Sequence, residues 1–365
     1  MDRLAEPTVA PGAGQRPKLA VVLFNLGGPD KLESVRPFLI NLFTDPAILR
    51  VPAFVRPFLS RLIAWRRVKP ATENYRLLGG RSPLLDLTLD QARALQAELP
   101  DHEARCFVAM RYWHPFSRET VQAVKNWAPD EIVLLPLYPH FSTTTTGSSV
   151  TDWNHAADRA GLDVPTRLIC CYPEDSGFVG ATAALLRQTL DHTLADLHDR
   201  QPGTGLRVLF SAHGLPQVIV DQGDPYQYQI ETTSRLVAER LAVPGLDWRV
   251  CYQSRATPQR WLEPSIEQEL RRAAEDRVAV LVVPIAFVSD HSETLVELDI
   301  EYRDLAHELG IPGYYRAPTQ NSDPGFITAL ARLIRERRET CGHRACPQRF
   351  GACPFPATSA VMMSR

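Results

Sequence analysis

Val278-Ala279-Val280-Leu281-Val282-Val283-Pro284-Ile285-Ala286-Phe287 is an unbroken apolar run that gives way to Val288-Ser289-Asp290-His291-Ser292-Glu293. Its length and β-branched content predict a strand buried on both faces, as strands of parallel sheets are. Five other runs repeat the pattern, at 19–26, 106–110, 131–137, 208–210 and 248–252. Between them lie stretches with helical periodicity, at 87–99, 120–127, 180–197, 232–241 and 264–275. Strands alternating with helices at this spacing predict βαβ units and open parallel sheets.

The first strand runs into Asn25-Leu26-Gly27-Gly28-Pro29, and a strand in the second half runs into Ser211-Ala212-His213-Gly214-Leu215-Pro216. The expected fold is α/β: two similar Rossmann-like domains, each a parallel sheet flanked by helices, with the active-site cleft between them. Loops are expected at 172–176 and 198–205, the first of them the domain boundary. Residues 1–18 then form a disordered tail, 19–175 the first domain, 176–332 the second and 333–365 a C-terminal extension.

At roughly 150 residues per domain, 365 residues suit two domains. A chain 44% hydrophobic and 22% charged has the make-up of a soluble globular protein, not a disordered or fibrous one. Forty basic residues against 42 acidic ones leave a net charge of -2, which argues against a nucleic-acid partner. The first eighteen residues lack the apolar core of a secretory signal, and no apolar run reaches membrane-spanning length. Of seven cysteines, Cys106, Cys170, Cys171 and Cys251 stand in apolar contexts and read as small buried side chains. Without a signal peptide, a reducing cytoplasm is expected.

Ligands of open α/β sheets bind beyond the carboxyl ends of the strands. Two such ends carry titratable groups: His213 after one strand, and Asp290, His291 and Glu293 after another. A single strand-end histidine often serves structure alone. Joined by a carboxylate from a second strand end, it can move protons or bind a transition metal. From Asp290 onward the pattern is helical, with Ser289 or Asp290 as N-cap and Leu295, Leu298, Tyr302, Leu305 and Leu309 on one face. Glu293, Glu297 and Glu301 recur every four residues on another face. That stripe is a solvated surface or, if it borders a cleft, a path for protons or cations.

Two further stretches carry chemistry. Ser142-Thr143-Thr144-Thr145-Thr146-Gly147-Ser148-Ser149 offers hydroxyls and amides at a helix start, where an anion could sit, but lacks the glycine and lysine spacing of a nucleotide site. Residues 50–67 contain no acid and intersperse Phe54, Phe58, Leu59, Leu62, Ile63 and Trp65 with Arg50, Arg56, Arg61, Arg66 and Arg67. They read as a core helix or as a membrane-surface segment, Pro57 making the amphipathic pattern imperfect.

Taken in order, these segments resemble the ferrochelatases, which insert ferrous iron into a porphyrin to finish haem. The resemblance spans residues 19 to 332. It rests on Asn25-Leu26-Gly27-Gly28-Pro29, Tyr75-Arg76-Leu77-Leu78-Gly79-Gly80-Arg81-Ser82-Pro83, Arg111-Tyr112, Leu137-Tyr138-Pro139, Thr146-Gly147-Ser148-Ser149, Phe210-Ser211-Ala212-His213-Gly214-Leu215-Pro216, Gly223-Asp224-Pro225-Tyr226, Gln253-Ser254-Arg255 and residues 283–295. It implies a chelatase-like fold and Fe²⁺ insertion into protoporphyrin IX, with release of two protons. Coproporphyrin III as substrate, or a non-catalytic porphyrin carrier, are the alternatives.

Carried over by position, His213 matches the family's active-site histidine, a base or an iron ligand. Glu293 matches the carboxylate facing it, with Asp290, His291, Glu297 and Glu301 in support. Arg111 and Tyr112 match the opposite wall of the porphyrin cleft. Leu26, Ser82, Trp261 and Phe287 would line or support that cleft, Leu26 standing where animal enzymes carry Met. Residues 50–67 match the lip through which porphyrin enters from the bilayer. The expected partners are therefore protoporphyrin IX, Fe²⁺ and the inner membrane surface, with a homodimer also open.

Cys341, Cys346 and Cys353 lie beyond the body of the fold. Some ferrochelatases carry a [2Fe–2S] cluster on such an extension, held by four thiolates. Animal enzymes supply the fourth thiolate at the position of Thr143, so here Cys170, Cys171 or another residue must do so. His343 keeps a Cys₃His zinc site open, and three unliganded thiols are the remaining reading.

Overall fold

The computed structural model describes residues 16–255, 259–339 and 350–352. Two four-stranded parallel sheets share one strand order. The first reads β2-β1-β3-β4, from β1 (Lys18–Asn25), β2 (Glu103–Met110), β3 (Glu131–Pro136) and β4 (Thr166–Leu168). The second reads β6-β5-β7-β8, from β5 (Leu206–His213), β6 (Asp247–Gln253), β7 (Ala279–Pro284) and β8 (Tyr314–Arg316).

In the first half, α1 (Val35–Thr44), α2 (Arg56–Leu77) and α3 (Leu84–Ala97) fall between β1 and β2. Helix α4 (Ser117–Trp127) joins β2 to β3, and α5 (Thr146–Ala160) joins β3 to β4. Helix α6 (Ser176–Arg200) leads into the second half, where α7 (Gln217–Asp221) and α8 (Tyr226–Leu241) precede β6 and α9 (Ile266–Glu275) precedes β7. A π-helix (Glu293–Glu301), α10 (Tyr302–Glu308), β8 and α11 (Pro324–Glu339) complete the order. Local signals fix several helix starts. Asp175 accepts hydrogen bonds from the amides of Gly177 and Phe178 at α6, and Ser265 forms a reciprocal box with Gln268 at α9.

Each sheet is buried on both faces. In β1, Leu19, Val21 and Leu23 pack with Leu95, Phe178, Phe326, Leu330 and Ile334, while Ala20, Val22 and Phe24 pack with Trp153 on the other side. In β7, Leu281 and Val283 join Val208, Phe210 and Ile230, while Val280 and Val282 join Ile266, Leu270 and Leu298. Helix α11 therefore returns to complete the core of the first sheet.

Several boundaries differ from the sequence reading. β4 and β8 carry no apolar run: all six residues are half-buried edge positions. The 278–287 run stops as a strand at Pro284, and the Ile285 amide reaches the Ser211 carbonyl instead. Helix α6 continues to Arg200, into the expected 198–205 loop. β1 takes in Lys18 from the expected tail, and α11 runs to Glu339 because buried Leu333 and Ile334 prolong its apolar face. Pro57 lies in the first turn of α2, where its missing N–H costs nothing, so it does not interrupt the helix; Pro70 stands inside α2, whose amphipathic pattern stays imperfect.

The segment after Asp290 is not an α-helix at first. Residues Glu293–Glu301 are a π-helix with Ser292 at its N-cap, not Ser289 or Asp290. Each π-turn holds about one residue more than an α-turn. A four-residue repeat then falls just short of a full turn, so the acidic stripe drifts opposite to its course on an α-helix.

Candidate active site

His213 is the last residue of β5, in register with Gln253, the last of β6. Its Nδ1 lies 2.8 Å from Oε2 of Glu293 at the start of the π-helix. The two strand ends singled out in the sequence thus converge, and the end of β6 joins them. His291 stands behind, with Nδ1–H donating to the Ser289 carbonyl at 3.0 Å and Nε2 lying 4.0 Å from Glu293. The Phe287 ring packs against it, centroids 4.8 Å apart.

Gln253 and Ser254 join this group, and the sequence reading gave neither a role. The Gln253 amide donates to the Glu293 carbonyl and to Glu297 Oε2, both at 3.0 Å, while its own oxygen accepts from Ser211 at 2.8 Å. Ser254 also donates to Glu297 Oε2. Their signal was available: a polar pair closing an apolar strand.

The acidic stripe runs outward from this group. Glu293 and Glu297 are half-buried, whereas Glu301 is exposed and accepts a 3.3 Å hydrogen bond from Asn74. Burial would raise the Glu293 carboxyl, but the charge and hydrogen bond of His213, with His291 behind, hold it well below the usual range. Burial, then repulsion from Glu293, pushes Glu297 up to about 7. Burial opposes protonation of His213, yet Glu293 and then Glu297 raise its affinity for a proton. His213 and Glu297 both hold a proton more tightly than the free side chains do, and Glu301 lies beyond them at the solvent. The His213 side chain keeps 37% of its surface exposed.

A small cavity of about 80 Å³ adjoins the pair, lined by Leu26, Tyr75, Ser82, His291 and Glu293 among others. It brings together Leu26 and Ser82, two of the expected wall residues. Trp261 is buried against Gly214, where an added Cβ would sit 3.3 Å from its ring. Asp290 lies further back, tied to Arg316 at 3.2 Å and to Asn321 at 2.9 Å.

Arg111 and Tyr112 form a separate group. The buried Asp45 carboxylate accepts from Arg111 Nη2 at 2.9 Å, from the Tyr112 hydroxyl at 2.7 Å and from Ser148. The guanidinium lies over the Tyr112 ring, 4.9 Å from its centroid, and Tyr112 is fully buried. Asp45 carried no signal in the sequence, being one acid in a turn.

The chain matches the family model for ferrochelatase over residues 18–338. It belongs to the ferrochelatase family. A ferrochelatase of Phenylobacterium zucineum is 52% identical over 345 residues, 92% of this chain and 97% of that one. A ferrochelatase of Caulobacter vibrioides is 47% identical over 349 residues, again 92% and 97% of the two chains. Among solved structures, SirB from Bacillus subtilis with Fe3+ covers 88% of this chain and 97% of that one, at 11% identity and a TM-score of 0.48. Its membership of the ferrochelatase family makes the chain a metal-chelating enzyme.

Two predicted features lie apart from the His213 group. Along the segment 54–65, Phe54, Phe58 and Trp65 are 79%, 78% and 65% exposed, with the exposed Arg50, Arg61 and Arg66 around them. Among the described residues no helix is long and apolar enough to cross a membrane. Cys341, Cys346, Cys353 and His343 lie outside the described residues. Cys170 and Cys171 are buried with their sulfurs 3.3 Å apart, packed against Phe141 and Ala352.

Proposed function

We propose that the chain inserts Fe²⁺ into protoporphyrin IX, releasing two protons and forming protohaem, as a lyase working at a membrane surface. The observation that carries this reading is the His213–Glu293 pair, with its acidic stripe running out to solvent. Porphyrin metallation needs two pyrrole protons removed and a ferrous ion stripped of water. Glu293 holds the imidazole by Nδ1, leaving Nε2 for a pyrrole proton. The proton then passes towards Glu297, whose affinity near neutral pH suits both uptake and release. Imidazole and carboxylate also suit Fe²⁺ without thiolates that would retain it.

The exposed apolar and basic face between Phe54 and Trp65 supports protoporphyrin over coproporphyrin. Protoporphyrin has two propionates where coproporphyrin has four, so it partitions into bilayers and profits from a lip that meets them. Anaerobic incubation with Fe²⁺ and either porphyrin tests both points. Faster haem formation from protoporphyrin IX is expected; faster turnover of coproporphyrin III would reverse the choice. Tight porphyrin binding without insertion of iron into either would make the chain a carrier.

A [2Fe–2S] cluster is the cofactor proposed. Thr143 offers a hydroxyl committed to Asp224 at 2.9 Å, not a thiolate. Among the described residues no three His, Cys, Asp or Glu side chains form a metal site. What supports this reading is that Ala352, the residue before Cys353, packs on Cys170 and Cys171. Cys341, Cys346, Cys353 and one of that pair would hold the cluster, which supplies one-electron chemistry when bound. The visible spectrum before porphyrin is added reads it out, and zinc analysis of a colourless protein would select the Cys₃His site.

A further inference from the structure

The segment Phe350–Ala352 docks on the turn that begins α8. The Phe350 and Tyr228 rings meet with centroids 5.3 Å apart, and the Ala352 amide donates to the Gly223 carbonyl at 3.4 Å. Gly223 has φ +93°, and a Cβ there would lie 3.1 Å from the Gly351 amide, so the close approach requires glycine. Next in the chain is Asp224, 1% exposed. One of its oxygens accepts from the Tyr226 amide at 3.0 Å, the other from Ser142 and Thr143 of the first domain.

Tyr226 carries this turn into the active site. Its hydroxyl donates to the His213 carbonyl at 3.0 Å. The imidazole leaves from the same residue, so the phenol fixes the backbone from which His213 reaches Glu293. A continuous set of contacts links the docked C-terminal segment, Gly223, Asp224, Tyr226 and His213.

We infer that Tyr226 is a positioning residue for His213, and that the docked segment 350–352 sets its position through the 223–226 turn. The inference rests on His213 being the proton acceptor. It gives the docked segment 350–352 a function: whatever seats or unseats it changes turnover at the His213 site. The expected signature is a loss in kcat with porphyrin KM unchanged, because the cleft walls are not altered.

A double-mutant cycle on the full chain tests it, with Fe²⁺ and protoporphyrin IX as substrates and Tyr226→Phe, Phe350→Ala and the double variant compared. Tyr226→Phe should lower kcat about five- to tenfold, the scale of one neutral hydrogen bond. Phe350→Ala should lower it severalfold, and the double variant should be no slower than Tyr226→Phe alone. Losses that multiply, or a Phe350→Ala chain with full kcat, would overturn the inference. Spectra of isotope-labelled histidine give a second reading: the His213 ring signals should move in the same direction in both single variants, and unmoved signals would also overturn it. If even the parent chain makes no haem, the chelatase reading fails; multiplicative losses with an active parent sink only the coupling.

Discussion

The two sheets share one strand order, yet their strand ends do opposite things with charge. At the end of β2, Arg111 is paired with the buried Asp45 and stacked on Tyr112, a fixed arrangement. At the ends of β5 and β6, His213, Gln253 and Ser254 face two glutamates held at very different proton affinities. One end spends its charges on rigidity, the other keeps them titratable. A fold used twice thus carries a fixed, buried ion pair at one strand end and titratable groups at the other, which is how different roles are grafted onto one architecture.

The largest effect should come from Glu293. Glu293→Gln keeps the shape but removes the charge that orients His213 and raises its affinity for a proton, so turnover should fall by about 10²–10³-fold. A loss under tenfold, measured with saturating Fe²⁺ and porphyrin, would make the pair structural.

Asp45→Asn attacks the other strand end. Leaving Arg111 with its buried partner uncharged should cost ~3 kcal/mol of stability, read as the urea midpoint. Glu73→Gln, which breaks the exposed pair with Arg76, should cost less than ~1 kcal/mol. Equal costs would erase the contrast between a buried pair and a surface pair.

Glu297 separates the two ends by pH. Its folded affinity for protons is raised, so the folded state binds the extra proton between the ordinary carboxyl range and about 7. Stability from this group is complete below the ordinary carboxyl value and lost as pH rises through 7. Glu297→Gln should therefore melt a few degrees above the parent at pH 8, with the gap closing towards pH 5. The parent's turnover should rise through pH 7 as Glu297 becomes able to accept a proton, and the variant should lack that limb. An unchanged profile would remove Glu297 from the proton path.

The smallest effect concerns the lip. Replacing Phe54, Phe58 and Trp65 by Ser should abolish co-sedimentation with anionic liposomes while turnover of detergent-dispersed porphyrin stays within about twofold. A parent chain that fails to sediment would remove the membrane from the account.

Much of this was legible in the residues. Among the described residues the six apolar runs give six of the eight strands, because strands of a sheet covered on both faces are largely apolar; β2 and β6 still carry exposed Glu103 and Arg249. Thr166-Arg167-Leu168 and Tyr314-Tyr315-Arg316 escape, since short edge strands need no such run. His213 and Glu293 could be picked out from their places after strands. Gln253 offered the same strand-end signal, but Asp45 and Tyr226 offered none, because a polar residue's partner depends on where the chain brings it, not on its neighbours in sequence. The π-helix left no trace in composition, and an α-period was the natural assumption.

The most direct measurement compares the parent with His213→Ala, anaerobically, with Fe²⁺ and protoporphyrin IX and with porphyrin binding followed in the same cuvette. The account predicts bound porphyrin and no haem from the variant, because the walls remain and the proton acceptor is gone. Near-normal haem formation by His213→Ala would contradict it.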